Sequence, residues 1–392
     1  MIAPAVLLAG LFALVLTTGP LADTRITDVF IYEHYAALLT GGAVPYSDGF
    51  SLEYPPLALV PMWLTRVLGG DYATTFGILM GLSAVAALLA VGRLGGRRAA
   101  WAFALTPLLA GAVLRTHFDL FAVAVLLGAL VALQARHTTW AFALFGVATM
   151  VKLFPVVVAG VAACWLWGRG ERRAAVTGAL ACAAVVVVCS APFLGEGYLD
   201  AYRYHLDRPV QIESSPASVL WLIGGSDITG GTTAPDEFGS NGMVGGAASA
   251  LRALSALLGI AALALCGWLA ARRPDERQLL LCAAAAVVAF VALGKVLSPQ
   301  YVAWLAPFAA LLLARGERLA SALIAGAIVL TTVEFPRLYL DLVEGDRGVA
   351  LLVGARNGLL LAALGVLIAR ATGSARSPRL SAASPSSAPA PP

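Results

Sequence analysis

From Ala174 to Leu194 the chain reads AAVTGALACAAVVVVCSAPFL, 21 residues without an acid, a base or an amide side chain. About 20 such residues in a helix span the hydrocarbon core of a bilayer, where each backbone N–H and C=O must be satisfied within its own segment. A further apolar run, SALLGIAALALCGWLA, lies at 255–270. Hydrophobic residues make up 60% of the chain and charged ones 12%, with a mean hydropathy of +0.85. A soluble domain typically carries about twice that charge. The fold class implied is an all-α polytopic membrane protein, with the bilayer as its main partner.

Apolar periods predict spans at 2–18, 72–92, 99–114, 118–134, 139–152, 153–168, 174–194, 248–270, 278–294, 300–314, 319–335 and 349–370. The first has no basic residues before it and reads as a retained span rather than a cleaved signal. PPLALVPMWLTRVLGG (55–70) is too short to cross and is expected to form a re-entrant or short helix. Residues 1–370 thus form one transmembrane domain, with outer loops at 19–55 and 195–247 and a Ser/Pro/Ala-rich tail at 371–392 expected to be disordered. Cys164, Cys182, Cys189, Cys266 and Cys282 all lie in apolar segments and read as small buried residues, not disulfides or metal ligands.

Charge sets the orientation. Basic residues recur in alternate short loops, at 92–98, 135–137, 168–173, 271–277 and 314–318, and in the tail. With Arg370 just before the tail, these hold 15 arginines against Glu171, Asp275, Glu276 and Glu317, whereas the other face is net acidic. Positive residues mark the cytoplasmic side, so both termini are expected inside. The chain has only two lysines, Lys152 in VKLFP and Lys295 in GKVLSPQY, and this count puts both on the opposite, outer side. The spans beside them are short, which sets the ammonium groups at headgroup depth. A charge there is costly and points to function.

The first outer loop contains DVFIYEHYAALL (28–39), in which Val29, Tyr32, Ala36 and Leu39 share a face at helical spacing. Asp28 occupies the N-cap position and Gly41-Gly42 the end. Capping is therefore the structural role open to Asp28. VPYSDG is a turn, and EYPP enforces an extended approach. The second outer segment opens with GEGYLDAYRYHLDRPVQIESSPASVLWL, helical at first and broken at Pro209 and Pro216, with His205, Arg208 and Glu213 as its reactive groups. A third polar cluster, RTHFD (115–119), alternates Arg115, His117 and Asp119, with Asp119 placed to pair with Arg115.

Two lysines, arginines and a carboxylate near the outer surface suit an anionic lipid headgroup. Cations hold a phosphate and offset its charge as it leaves, while a carboxylate deprotonates a hydroxyl. Sugar transfer from a lipid phosphate to an alcohol is the chemistry such groups perform. The chain has no Walker loop, no H-E-x-x-H and no D-x-D, and no feature suggests nucleic acid.

TDVFIYEHYAALLTGGAVPYSDGFSLEYPPLALVP, VKLFPVVV, RPVQIESSPASVL and LSPQYVAWLAPFAALL together resemble the actinobacterial polyprenyl-phosphate-mannose-dependent α-(1→2)-mannosyltransferases. These form glycosyltransferase family 87, within the type-C superfamily. The resemblance implies a type-C helical bundle in the plasma membrane with an extracytoplasmic active site. Its donor would be a polyprenyl-phosphate sugar and its acceptor a glycolipid or envelope glycan. Transfer would invert the anomeric centre without metal or other cofactor. It assigns Asp28 as the catalytic base, gives Lys152, Lys295 and Arg208 to the lipid phosphate, and lines the pocket with Glu53, Tyr54, Gln300 and Tyr301. His205, Arg115 and Asp119 join these as substrate-binding candidates. The competing readings are a flippase or transporter of a lipid-linked sugar or other anion, and a non-catalytic assembly subunit.

Overall fold

The computed structural model describes residues 1–224 and 241–373 and is almost wholly helical. The tail beyond Gly373 and the Gly/Thr-rich stretch 225–240 lie outside the described residues. A helix stands at each expected span but 99–114, including Ile2–Thr17, Asp119–Gln134, Thr138–Val151, Pro155–Gly168, Glu276–Ala292 and Arg318–Glu334. Among the described residues, four helices are long and apolar enough to cross a membrane: Tyr72–Ala104, Arg172–Phe193, Gly246–Arg272 and Arg347–Gly373. Twelve crossings therefore remain an inference from the sequence. The five cysteines are unpaired thiols.

The bilayer is visible in what the helices leave uncovered. Arg172–Phe193 is only 17% buried over its apolar window, and Leu180, Val187 and Val188 point outward. Such a face is stable only in an apolar solvent.

Two segments differ from the simple periodic reading. Tyr72–Ala104 is interrupted at Gly96, whose φ of 75° and ψ of −171° suit a residue without Cβ. A Cβ on Gly92 would lie 3.6 Å from Ala100, whereas eight helical residues would separate them by about 12 Å. The chain therefore doubles back at GRLGGRR. The expected span at 99–114 is not continuous; after Ala104 come short helices at Thr106–Ala110 and Val113–Thr116. Pro107 and the left-handed Gly111 (φ 59°) divide it. PPLALVPMWLTRVLGG forms a 3₁₀ turn, Pro56–Ala58, and a ten-residue helix, Leu59–Leu68, about 15 Å long and half a bilayer.

The basic loops gather at one end of the bundle, tied to one another. Arg136 bonds Glu171 at 2.9 Å, Arg169 bonds the Pro274 carbonyl at 3.3 Å, and Arg315 bonds the Leu94 carbonyl at 3.0 Å. Arg277 and Arg370 both pair with Glu317.

The two segments expected on the outer face pack on each other. The helix Val29–Thr40 buries Val29, Tyr32 and Ala36, the face expected from the sequence, with Leu39 partly covered. Tyr46 holds a left-handed φ of 64°, fixed by its ring against Tyr198 and Phe193 and its hydroxyl on the Tyr54 carbonyl at 2.6 Å. Gly197 lies so close that an added Cβ would sit 2.1 Å from the Tyr46 carbonyl oxygen. The second segment begins with the helix Glu196–Asp207 and pairs Val210–Gln211 with Gly242–Met243. Pro216 opens the helix Ser215–Gly224 rather than ending one, because a proline needs no donor in a first turn.

Candidate active site

Asp28 sits at the N-cap of the first outer helix, yet its side chain makes no capping bond. Thr27 Oγ1 instead accepts the Val29 N–H, at 3.2 Å. The Asp28 carboxylate turns inward. Its Oδ2 accepts the Tyr32 hydroxyl at 3.2 Å, one helical turn on, and lies 3.3 Å from His117 Nε2. Burial alone would raise its pKa. The charge and hydrogen bond of His117, with Lys152 and Tyr32, more than offset this and hold it below the ordinary carboxylate range. Asp28 is thus a carboxylate at neutral pH, with 31% of its side chain accessible.

His117 joins the helices Val113–Thr116 and Asp119–Gln134 in extended conformation. Its Nδ1 lies 2.9 Å from Thr116 Oγ1, which in turn reaches the Ala112 carbonyl at 3.1 Å. The chain thereby delivers His117 and Asp119 to adjacent points, two residues apart.

Asp119 does not pair with Arg115. Its Oδ2 accepts Lys152 Nζ at 3.0 Å and its Oδ1 accepts Trp304 Nε1 at 2.6 Å, all buried. Arg115 turns away to the Ala22 carbonyl, at 3.1 Å. Rings surround the Lys152 ammonium: Phe118 at 4.4 Å, Tyr54 at 5.5 Å and Trp304 at 5.9 Å. Such cation–π contacts stabilise a desolvated charge. The two lysine-to-proline elements meet at Trp304, which stacks between Phe154 (4.2 Å) and Tyr301 (3.8 Å). Gln300 is half-buried in the 3₁₀ turn Pro299–Tyr301.

Lys295 is in a different setting. Its Nζ donates to the carbonyls of Leu206 (2.7 Å) and Arg208 (2.6 Å), where the second outer segment turns. An ammonium has three N–H groups, so one remains for an anion. Burial, then the positive charges of Arg252 and Arg208, push its pKa down to about 8. Arg208 follows the helix Glu196–Asp207, and its charge also reaches His205 and Tyr301. His205 donates Nε2–H to the Glu53 carbonyl at 2.7 Å, clasping the second outer segment to EYPP. Burial lowers its pKa, which keeps the ring neutral. The Glu53 carboxylate is approached by the hydroxyls of Tyr54 and Tyr204.

The structure therefore brings Asp28, Glu53, Tyr54, Asp119, Lys152, His205, Arg208 and Tyr301 into one electrostatic neighbourhood, with Lys295 at its rim and Arg115 outside it. His117, Tyr32 and Trp304 belong there too, although sequence analysis assigns none of the three a role in the site. The available signals were the D-x-x-x-Y spacing and the alternation in RTHFD. Cavities of about 80 and 400 Å³ lie elsewhere, lined by Arg136, Arg169 and Arg315 and by Trp221 and Arg347 respectively.

A second charged cluster locks the outer segment to the bundle. Arg356 lies 3.6 Å from Glu213 and 3.9 Å from Glu334, all three nearly inaccessible. Arg356 and Asn357 both donate to the Glu213 carbonyl, and Asn357 also to Ser218 at 2.8 Å.

The family model described as Glycosyltransferase family 87 matches residues 52–299, well over half the chain. The match includes Glu53, Tyr54, His117, Asp119, Lys152, His205, Arg208 and Lys295; Asp28, Gln300 and Tyr301 fall outside it. No curated protein matches the chain.

Proposed function

The chain belongs to glycosyltransferase family 87, and on that premise we propose that this membrane glycosyltransferase moves a hexose, mannose, from polyprenyl phosphate to a hydroxyl of a glycolipid or envelope glycan. The reaction runs on the extracytoplasmic face, at the end of the bundle opposite the basic loops. Asp28 takes the proton of the acceptor hydroxyl. The oxygen attacks the anomeric carbon from the side away from phosphate, and the bond from that carbon to the phosphate oxygen breaks. Polyprenyl phosphate leaves with the electron pair, the proton stays on Asp28, and the anomeric centre inverts.

The lipid phosphate is met by Arg208 and the third N–H of Lys295. Lys152 acts at shorter range. Its charge is paired with Asp119, so it fixes the aromatic wall of Tyr54, Phe118 and Trp304 and adds a weaker field. Glu53, Tyr54, Gln300 and Tyr301 border the sugar. Polyprenyl phosphate is neutralised by cations already in place, so the chemistry calls for no metal.

The observation that supports this reading most strongly is the release of Asp28 from capping. A carboxylate at an N-cap position, ionised, accessible and held by Tyr32 of its own helix and His117 from another part of the chain, is arranged as a base. The test is initial-rate transfer by the full-length protein in nanodiscs, with radiolabelled polyprenyl-phosphate mannose and a membrane-glycan extract as acceptor. Asp28→Asn should lower turnover about 10²–10⁴-fold with little change in donor KM. Lipid translocation by a wild type that forms no glycoside from any polyprenyl-phosphate hexose would return the transporter reading.

A further inference from the structure

We infer that His117 is a positioning residue for Asp28: it occupies carboxylate Oδ2 so that Oδ1 faces the acceptor hydroxyl. The inference rests on the role proposed for Asp28 and extends it to a residue outside the first outer loop.

The geometry is specific on three counts. First, both side-chain contacts to Asp28 fall on the same oxygen, Tyr32 at 3.2 Å and His117 at 3.3 Å. The lone pairs left for a substrate proton are those of Oδ1. Second, a carboxylate only accepts, so His117 Nε2, 3.3 Å from Oδ2, can engage it only as a donor. Third, the opposite ring nitrogen faces a hydroxyl that suits either protonation state. When Thr116 donates to the Ala112 carbonyl, its oxygen accepts from Nδ1–H; when it rotates, it donates to a bare Nδ1. The imidazole therefore keeps Nε2–H on Asp28 whether charged or neutral. The ring is 3% exposed and cannot swing out to solvent.

This is the arrangement by which a histidine–carboxylate pair fixes orientation, with the roles exchanged: here the carboxylate does the chemistry and the imidazole holds it. The other groups facing Asp28 are Tyr32 on its own helix and Lys152 in the turn before Pro155, with Asp119 and Glu53 further off. Lys152 is engaged by Asp119, which leaves His117 as the partner from another element in direct contact. Without it, burial acts on Asp28 with less opposition and the carboxylate is harder to keep ionised.

The experiment compares wild type, His117→Ala, His117→Gln, Thr116→Val and Asp28→Asn, all full-length in nanodiscs, using polyprenyl-phosphate mannose as donor. His117→Ala is expected to lower kcat about 10–100-fold with donor KM within about twofold, and to move the acid limb of kcat up by about one pH unit or more. His117→Gln, whose amide still donates to Oδ2, should recover part of kcat, and Thr116→Val should show a smaller shift of the same sign. A readout without turnover accompanies it: the pH midpoint for carbodiimide modification of the Asp28 peptide, read by mass spectrometry, should rise in His117→Ala. Unchanged kcat, acid limb and modification midpoint in His117→Ala, beside an inactive Asp28→Asn, would overturn this inference alone. An Asp28→Asn protein as active as wild type would overturn the base assignment on which it rests.

Discussion

At the residue scale the two lysines look alike in sequence and do different work. Each precedes a proline that opens the next helical turn, and the charge count places both on the outer side. What separates them is tertiary. Lys152 closes on Asp119 within a ring of aromatics, whereas Lys295 rests on two carbonyls with one N–H to spare. Lys152→Ala should therefore act first on stability. It strands a buried carboxylate, and the loss of a buried ion-pair partner costs about 3–5 kcal/mol. The unfolding midpoint in detergent should fall sharply, and Asp119→Asn in the same chain should restore much of it. Lys295 should act on donor affinity and show it through pH. With its pKa near 8, the ammonium is charged below that pH and neutral above. Apparent donor KM should rise as pH increases through about 8, and Lys295→Arg, which stays charged, should flatten the rise. The sequence could pick out these residues because lysine is so scarce. It could not foresee that Asp119 would reach Lys152 rather than Arg115, because that pairing joins positions 33 residues apart.

At the element scale, apolar period and charge alternation place nearly every helix, since both are local. The failures are local too, and physical. The span expected at 99–114 breaks because Pro107 and Gly111 disrupt the ladder that its apolar composition would support. Pro216 starts a helix because only its position within the first turn, not its presence, decides its effect. Glu213 was visible as a reactive group, but its partners Arg356 and Glu334 lie on distant helices, so the buried lock was not readable from spacing. That lock holds the helix Ser215–Gly224 against Arg347–Gly373, and with it the strand pair beside Lys295. Arg356→Met removes one cation from between two carboxylates and should lower stability by about 3–5 kcal/mol. Replacing Glu213 and Glu334 by glutamine in that variant should recover part of the loss, measured as the denaturation midpoint in detergent.

At the scale of the whole molecule, the basic loops gather together, tied by Arg136, Arg169, Arg277, Arg315 and Arg370. The catalytic reading depends on the outer end alone. Its residues come from six separated stretches, around Asp28, Glu53, His117, Lys152, Arg208 and Tyr301, and only folding brings them together. The most direct measurement is an experimental structure of the full-length protein with a non-hydrolysable polyprenyl-phosphate mannose analogue bound. The account predicts the phosphate within hydrogen-bonding distance of Lys295 Nζ and the Arg208 guanidinium, with the anomeric carbon facing Asp28 Oδ1. A phosphate bound instead among Arg136, Arg169 and Arg315, at the basic end of the bundle, would contradict it.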